Sequence, residues 1–441
     1  MKTLHKPSGA MNHFRQLFTL SMIILSGISS SRGRGNSYFQ QEVNYSIEVE
    51  LDDASHYLRG KESFLYKNNS QDTLNILYLH VWPNAYRDEN TVLARIYEND
   101  ADQRMSRALA RGENGFIDSL EFTADGNRLS WQSLPDTPDV LKLLLISPLY
   151  PGASVEISTP LRIKIPSAGI SRFGHDKQSY YITQWYPKPA VYDDGGWKYL
   201  PYVDKGEFYS EFGSFDVKIT LPENYVVGAT GELVDGEKET EWLNNKMLET
   251  MAIEEFRKED LSYPPSSDKT KTLHFRQDRV HDFAWFADKR WHVLKSTMEL
   301  PASRERVTIW AFFTNRQASW WLKAPEYMER TVYDYSRWLG DYPYKNVTAV
   351  EVGSAEGADM EYPMITAIGT ASSQLALESV LAHEVGHNWF YGILGNDERR
   401  YPWLDEGMNS FFDKRYIFTN YAGDSTKMNE YFNRLGRWGK W

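Results

Sequence analysis

Cysteine is absent from this 441-residue chain. That excludes disulfides and thiolate ligands, so any bound metal must be held by nitrogen and oxygen. Positive charge is also short: 49 lysines and arginines face 60 aspartates and glutamates, for a net charge of −11. With no basic arm or stripe, the chain has nothing with which to hold a phosphate backbone, and nucleic acid is excluded as a partner. Internal repeats and low-complexity tracts are missing. After the N-terminus no segment approaches the roughly eighteen apolar residues that a membrane-spanning helix needs.

The N-terminus carries one apolar run. Lys2, Lys6 and Arg15 precede Leu17 to Ile28, and small residues from Ser26 to Ser31 follow. This order reads as a secretory signal and leader over residues 1–36, with the folded chain beginning near Tyr38. It predicts export to a periplasm, the cell surface or the outside, with no transmembrane span beyond the signal.

What remains is rich in core-forming residues. A hydrophobic content of 41% with 15% aromatics indicates folded domains, two or three at this length. Strand-like alternation opens at Tyr45 to Leu51 and recurs at Leu74 to Val81, Val155 to Ile165 and Phe215 to Thr220, punctuated by Asn68-Asn69-Ser70 and Pro222-Glu223-Asn224. An antiparallel sandwich or saddle-shaped sheet follows from that pattern. A polar, proline-bearing stretch from Glu259 to Lys271 marks an exposed loop, and the domain boundary is placed near Gln277, giving an N-terminal β domain over 37–277 and a second domain over 278–441. In the second domain a strand ending in Val307 to Phe313 gives way to helical periodicity from Gln317 to Leu339, interrupted by Pro325, which predicts a kink or two helices. The expected architecture is α+β and multidomain.

The chemistry concentrates near residue 383. In His383-Glu384-Val385-Gly386-His387 the two histidines stand four apart, so on a helix both imidazoles reach one metal ion from the same face. Ser379 to Phe390 has the apolar content of a helix and no proline, and breakers follow at Gly392 and Gly395. Glu406, nineteen positions beyond His387, opens a second helical segment whose apolar residues Met408, Phe411 and Phe412 recur at helical spacing. Two imidazoles and one carboxylate leave a fourth position for water, the arrangement of catalytic zinc. One Zn2+ is expected, with His383, His387 and Glu406 as ligands and Glu384 as the neighbouring general base.

With these residues in view, the chain resembles the gluzincin aminopeptidase family, that of aminopeptidase N and leukotriene hydrolase. The family's metal signature is matched by HEVGHNWFYGILGNDERRYPWLDEG, with Asp405 where asparagine is commoner. Upstream, Gly357-Ala358-Asp359-Met360-Glu361-Tyr362-Pro363 is similar, with one inserted residue, to the family's substrate-binding edge strand. TQWYPKPAVYDDGGW and GEFYSEFGSFDVKITLPENYVVGATGE are similar to bacterial members. The resemblance implies a thermolysin-like catalytic domain and a metallo-aminopeptidase acting on peptides with a free N-terminus. A zinc-activated water would attack the peptide bond, with Glu384 as base. Glu361 would take the substrate's α-ammonium, supported by Met360, Ala358, Gly357 and Gln184, while Asp413 would orient a ligand histidine. Tyr186 stands where the family usually has a second amine-binding residue. Trp441 ends the chain before the family's transition-state tyrosine, which implies C-terminal truncation; Tyr416, Tyr421 and Tyr431 come too early to replace it. Two other readings share these motifs: epoxide hydration of the leukotriene-hydrolase type, and an inactive peptide-binding module.

Overall fold

A computed structural model describes residues 38–353 and 358–438, with side chains through Arg434. The signal reading at 1–36 and the substrate-binding expectation for Gly357 lie outside the described residues. Among those described, no helix is long and apolar enough to cross a membrane.

The first half is built on a nine-stranded sheet. Its centre comprises β1 (Glu42–Asp52), β2 (Tyr57–Lys67), β3 (Ser154–Lys164), β4 (Gly213–Pro222) and β5 (Thr270–Val280), ordered β5-β4-β1-β2-β3. Along β1 buried side chains alternate with more accessible ones, the period-2 pattern of a sheet with one covered face. The pairing is antiparallel except between β1 and β4, which run parallel with Tyr45 opposite Phe215, so the purely antiparallel sheet expected from the sequence is corrected at its centre. Strands this far apart in sequence carry no turn signal that would reveal their relative direction. Two four-stranded sheets and a two-stranded one complete the described part of this half, and aromatic side chains cluster on the large sheet: Tyr45 stacks on Phe215 at 4.5 Å and meets Tyr186 edge-on at 5.3 Å.

Gln277 falls inside β5. The chain leaves the first half later than the composition indicated, because Trp285–Asp288 still pairs with Ser179–Ile182 and Val226–Ala229. The second sheet begins at β6 (His292–Glu299) and continues through β7 (Arg306–Phe313), β8 (Asn346–Gly353), β9 (Met360–Tyr362) and β10 (Ile365–Gly369), in the order β6-β7-β8-β10-β9. This mixed sheet leaves β9 at an edge, paired among the described residues only with β10.

The longer helices of this part of the chain are α1 (Ala324–Leu339), α2 (Gln374–Phe390), α3 (Glu406–Tyr421) and α4 (Ser425–Trp438). Pro325 does not kink a helix. It occupies the first turn of α1, where its missing N–H costs nothing, and a separate short helix covers Ala318–Trp321. Helix α2 is capped by Ser373, whose Oγ accepts from the Ala376 N–H at 3.1 Å. It is buried almost all round and packs on β9, β10, α1 and α3, which is the place of a helix without a polar face.

Gly386 allows that packing. A Cβ there would run into the Tyr335 ring of α1 and Oδ1 of Asn409 on α3, so the motif can bring three helices together only with glycine at this point. Gly386→Ala is expected to destabilise the protein by roughly 1–3 kcal/mol, as overpacking does. Chemical denaturation beside a Gly407→Ala control, where the added methyl meets its nearest neighbour at 3.4 Å, measures the effect.

Candidate active site

Helix α2 carries His383, Glu384 and His387 together, and α3 begins at Glu406. Nε2 of His383 lies 3.2 Å from Nε2 of His387 and 3.3 Å from Oε2 of Glu406, and the third edge, His387 Nε2 to Glu406 Oε2, is 3.9 Å. Tetrahedral zinc with ligands at about 2.0–2.1 Å sets its ligand atoms about 3.3 Å apart. The three expected ligands thus present their donor atoms in a triangle of the right size, and the donor set of two imidazoles and a carboxylate fits zinc.

The opposite nitrogens fix which atom faces the triangle. Nδ1–H of His383 donates to Oδ2 of Asp413 at 3.0 Å, and Nδ1–H of His387 donates to Oδ1 of Asp405 at 2.5 Å. Each carboxylate holds its imidazole in the tautomer whose Nε2 lone pair is available. Asp413 lies on α3, two turns beyond Glu406. No such role is expected of Asp405 from the sequence: directly before a helix, an aspartate reads as an N-cap. Here it makes no capping bond and its carboxylate turns to His387 instead. Asn409 adds a bond from Nδ2 to the His383 carbonyl at 2.7 Å.

The electrostatics follow from burial among carboxylates. Burial opposes protonation of His383, but its bonds to Asp413 and Glu406 outweigh that and raise its pKa well above the ordinary range. His387 is likewise raised, with Asp405 overcoming the effect of burial. Burial also opposes ionisation of Glu406, yet its bond to His383 and the charge of His387 pull it down to about 2. The metal-free site therefore binds protons that a zinc ion must displace. Because both histidine pKa values are raised, zinc affinity is expected to fall as pH drops through and below neutrality. Calorimetric titrations in buffers of different ionisation enthalpy should show proton release on binding.

Glu384 is 5% exposed and its Oε2 has no hydrogen-bond partner. Burial raises its pKa well above the usual carboxylate range, while His383 works in the opposite direction. Glu361, on the edge strand β9, is 3% exposed, with Oε1 unpartnered. Its carboxylate comes within 4.8 Å of donor atoms from Glu384 and His387, and also of those from Glu207 and Glu406. The structure thus brings Glu361 to the triangle. Met360 is buried beside it, and Ala358 is half-buried.

Gln184 approaches by a different route. With φ of +47°, its Oε1 accepts from Tyr362 Oη at 3.2 Å, one residue from Glu361, and its Nε2 is buried without a partner. Tyr186 is engaged elsewhere: it is buried, and its hydroxyl donates to Asp282 Oδ1 at 2.9 Å. The hydroxyls of Tyr416 and Tyr421 both donate to Glu378, which fastens α3 to the start of α2.

Two carboxylates near Glu361 were not singled out by the sequence. Glu207 holds Arg172 in a two-pronged ion pair at 2.9 and 3.2 Å. Glu398 follows α2 in the loop 391–401. Both lie outside regular secondary structure, Glu398 among charged neighbours and Glu207 beside aromatic ones, and only tertiary contact brings them to Glu361.

Comparison with known proteins adds the fold. No family model and no curated protein matches the sequence. Solved structures do match: a two-domain M1 zinc metallopeptidase mutant bound to L-arginine aligns with a TM-score of 0.56 and 14% identity over 90% of this chain and 75% of that one. The M1 zinc metallopeptidase from Deinococcus radiodurans aligns at 0.54 and 14%, over 90% and 76%, and its mutant bound to a Tyr-Ser-Ala substrate at 0.54 and 13%, over 90% and 75%. The chain therefore has a mixed α+β fold like that of two-domain M1 zinc metallopeptidases.

Proposed function

We propose that this chain is a zinc-dependent aminopeptidase that removes N-terminal residues from peptides. The observation that carries the proposal is the triangle of donor atoms from His383, His387 and Glu406, with edges of 3.2, 3.3 and 3.9 Å. A zinc ion held there supplies the positive charge that makes a water molecule acidic near pH 7 and polarises a scissile carbonyl. The remaining work falls to the chain. Glu384 takes a proton from the attacking water and passes it to the nitrogen of the leaving amine as the C–N bond breaks. Its burial and its unpartnered oxygen suit a group that must gain and lose a proton.

Glu361 meets the substrate's α-ammonium with a charge-assisted hydrogen bond, and this would confine cleavage to the chain end. Among the described residues β9 pairs with β10 alone, so Met360, with Ala358 just before it, offers backbone groups to which an extended peptide can add as a further strand. Gln184 sits behind Glu361 through Tyr362. Asp413 and Asp405 keep the histidines oriented. The similar structures hold an amino acid or a short peptide, which agrees with a peptide end as substrate. The leader at 1–36 directs the enzyme out of the cytoplasm.

Zinc-loaded protein tested on aminoacyl anilides and their N-acetylated counterparts checks the proposal. Stoichiometric zinc with cleavage of the free-amine substrates alone is expected. Cleavage that ignores the acetyl group, or none with zinc bound, would rule out an aminopeptidase.

A further inference from the structure

An ammonium group has three N–H donors and is best held by several acceptors. With charge-assisted bonds of about 2.8 Å at tetrahedral angles, those acceptors stand about 4.6 Å apart. Glu361 is one acceptor in the proposal above, and a single carboxylate cannot surround the group.

Glu361 is the shared member of three clusters whose donor atoms lie within 4.8 Å of one another: with Glu384 and His387, with Glu207 and Glu406, and with Glu398 and Asp405. Most of these companions are already committed. Glu207 is occupied by Arg172 on both oxygens, Asp405 holds His387, and Glu406 belongs to the donor triangle. Glu398 differs. It is 2% exposed, its Oε2 has no hydrogen-bond partner, and among the described residues no cation pairs with it or with Glu361. Two adjacent carboxylates buried to this degree without a counter-charge are costly as anions unless they take up a proton or a positive group meets them.

The loop that carries Glu398 is held in place. Gly395 has φ of +50°, and a Cβ there would collide with the Phe212 ring. Asp397 then closes a turn, its carbonyl accepting from Arg400 N at 3.2 Å and Tyr401 N at 2.8 Å. Arg399 donates from Nε to the Glu207 carbonyl at 3.1 Å.

We infer that Glu398 is a second acceptor for the substrate's α-ammonium, acting beside Glu361. The inference rests on the aminopeptidase reading and adds to it a residue that sets the enzyme's preference for a free N-terminus. Glu398 touches the substrate's charged end and takes no part in proton transfer.

The test compares L-leucyl p-nitroanilide with isocaproyl p-nitroanilide, which lacks only the amine, on the zinc-loaded full chain. In the unaltered protein the amine should favour cleavage. Glu398→Gln should reduce that preference about ten- to a hundredfold, the range for a hydrogen bond to a charged group. The loss should appear mainly in KM, with zinc content unchanged and hydrolysis of the isocaproyl compound little affected. Glu398→Asp, which keeps the charge, should recover part of the preference and serves also if the glutamine variant folds poorly. An unchanged amine preference in folded Glu398→Gln overturns the inference and leaves the aminopeptidase reading standing. No amine preference in the unaltered protein overturns the aminopeptidase reading itself.

Discussion

Glu384→Gln is expected to lower hydrolysis by about 10²–10⁴-fold, the usual contribution of a positioned general base, while zinc stays bound in full. The argument is one of position. Glu384 shares α2 with both histidines, yet the donor triangle is completed by Glu406 and not by Glu384. Glutamine fills the same volume and cannot accept the proton. Because Glu384 is 5% exposed with an unpartnered oxygen, removing its charge should not cost stability and is expected to raise the melting temperature of the metal-free protein slightly. Steady-state kinetics, zinc analysis and a thermal scan on one preparation distinguish this from a ligand defect, in which zinc and activity would disappear together.

His387→Ala should act in the opposite way, on the metal and on the fold. The pair His387–Asp405 is 1% and 0% exposed on its two sides. Removing the imidazole deletes a ligand and leaves a buried carboxylate without a partner. Breaking a buried pair in this manner costs about 3–5 kcal/mol, so the metal-free variant should unfold at markedly lower denaturant and retain no stoichiometric zinc. Adding Asp405→Asn to that variant removes the stranded charge and should restore part of the stability without restoring zinc. If the double variant is no more stable than the single one, Asp405 is not the source of the cost, and its place as the group orienting His387 loses support.

The sequence and the structure agree best where the chemistry is local. Two histidines one helical turn apart need only a helix, and Ser379 to Phe390 has the residues for one; the helix proves longer, starting at Gln374 because Ser373 caps it. Strand alternation likewise located β1, β3 and β4 within a few residues, and β7 was read as a strand. The helix Glu237–Met251 went unseen because only Leu243 and Thr250 are buried in it, too few apolar contacts to set a period. Direction and pairing of distant strands were not legible, which is why the parallel β1–β4 pair and the passage to the second sheet after Asp288 differ from expectation.

The site shows the same division. Its ligands and base lie in one short stretch. No role was read for Asp405, Glu207 or Glu398, because nothing in their local sequence marks what they meet in the folded chain. Arg172 reaches Glu207 across 35 positions of sequence, and Glu398 meets Glu361 across an edge strand and a whole helix. Only the folded chain brings such groups together.

Everything proposed for this site depends on His383, His387 and Glu406 holding one zinc ion. Crystals of the zinc-loaded protein measured on either side of the zinc absorption edge test it most directly. A single strong anomalous peak is expected about 2.0–2.1 Å from the two Nε2 atoms and the Glu406 carboxylate. A peak elsewhere, or none in protein shown by analysis to have been given zinc in excess, would contradict it.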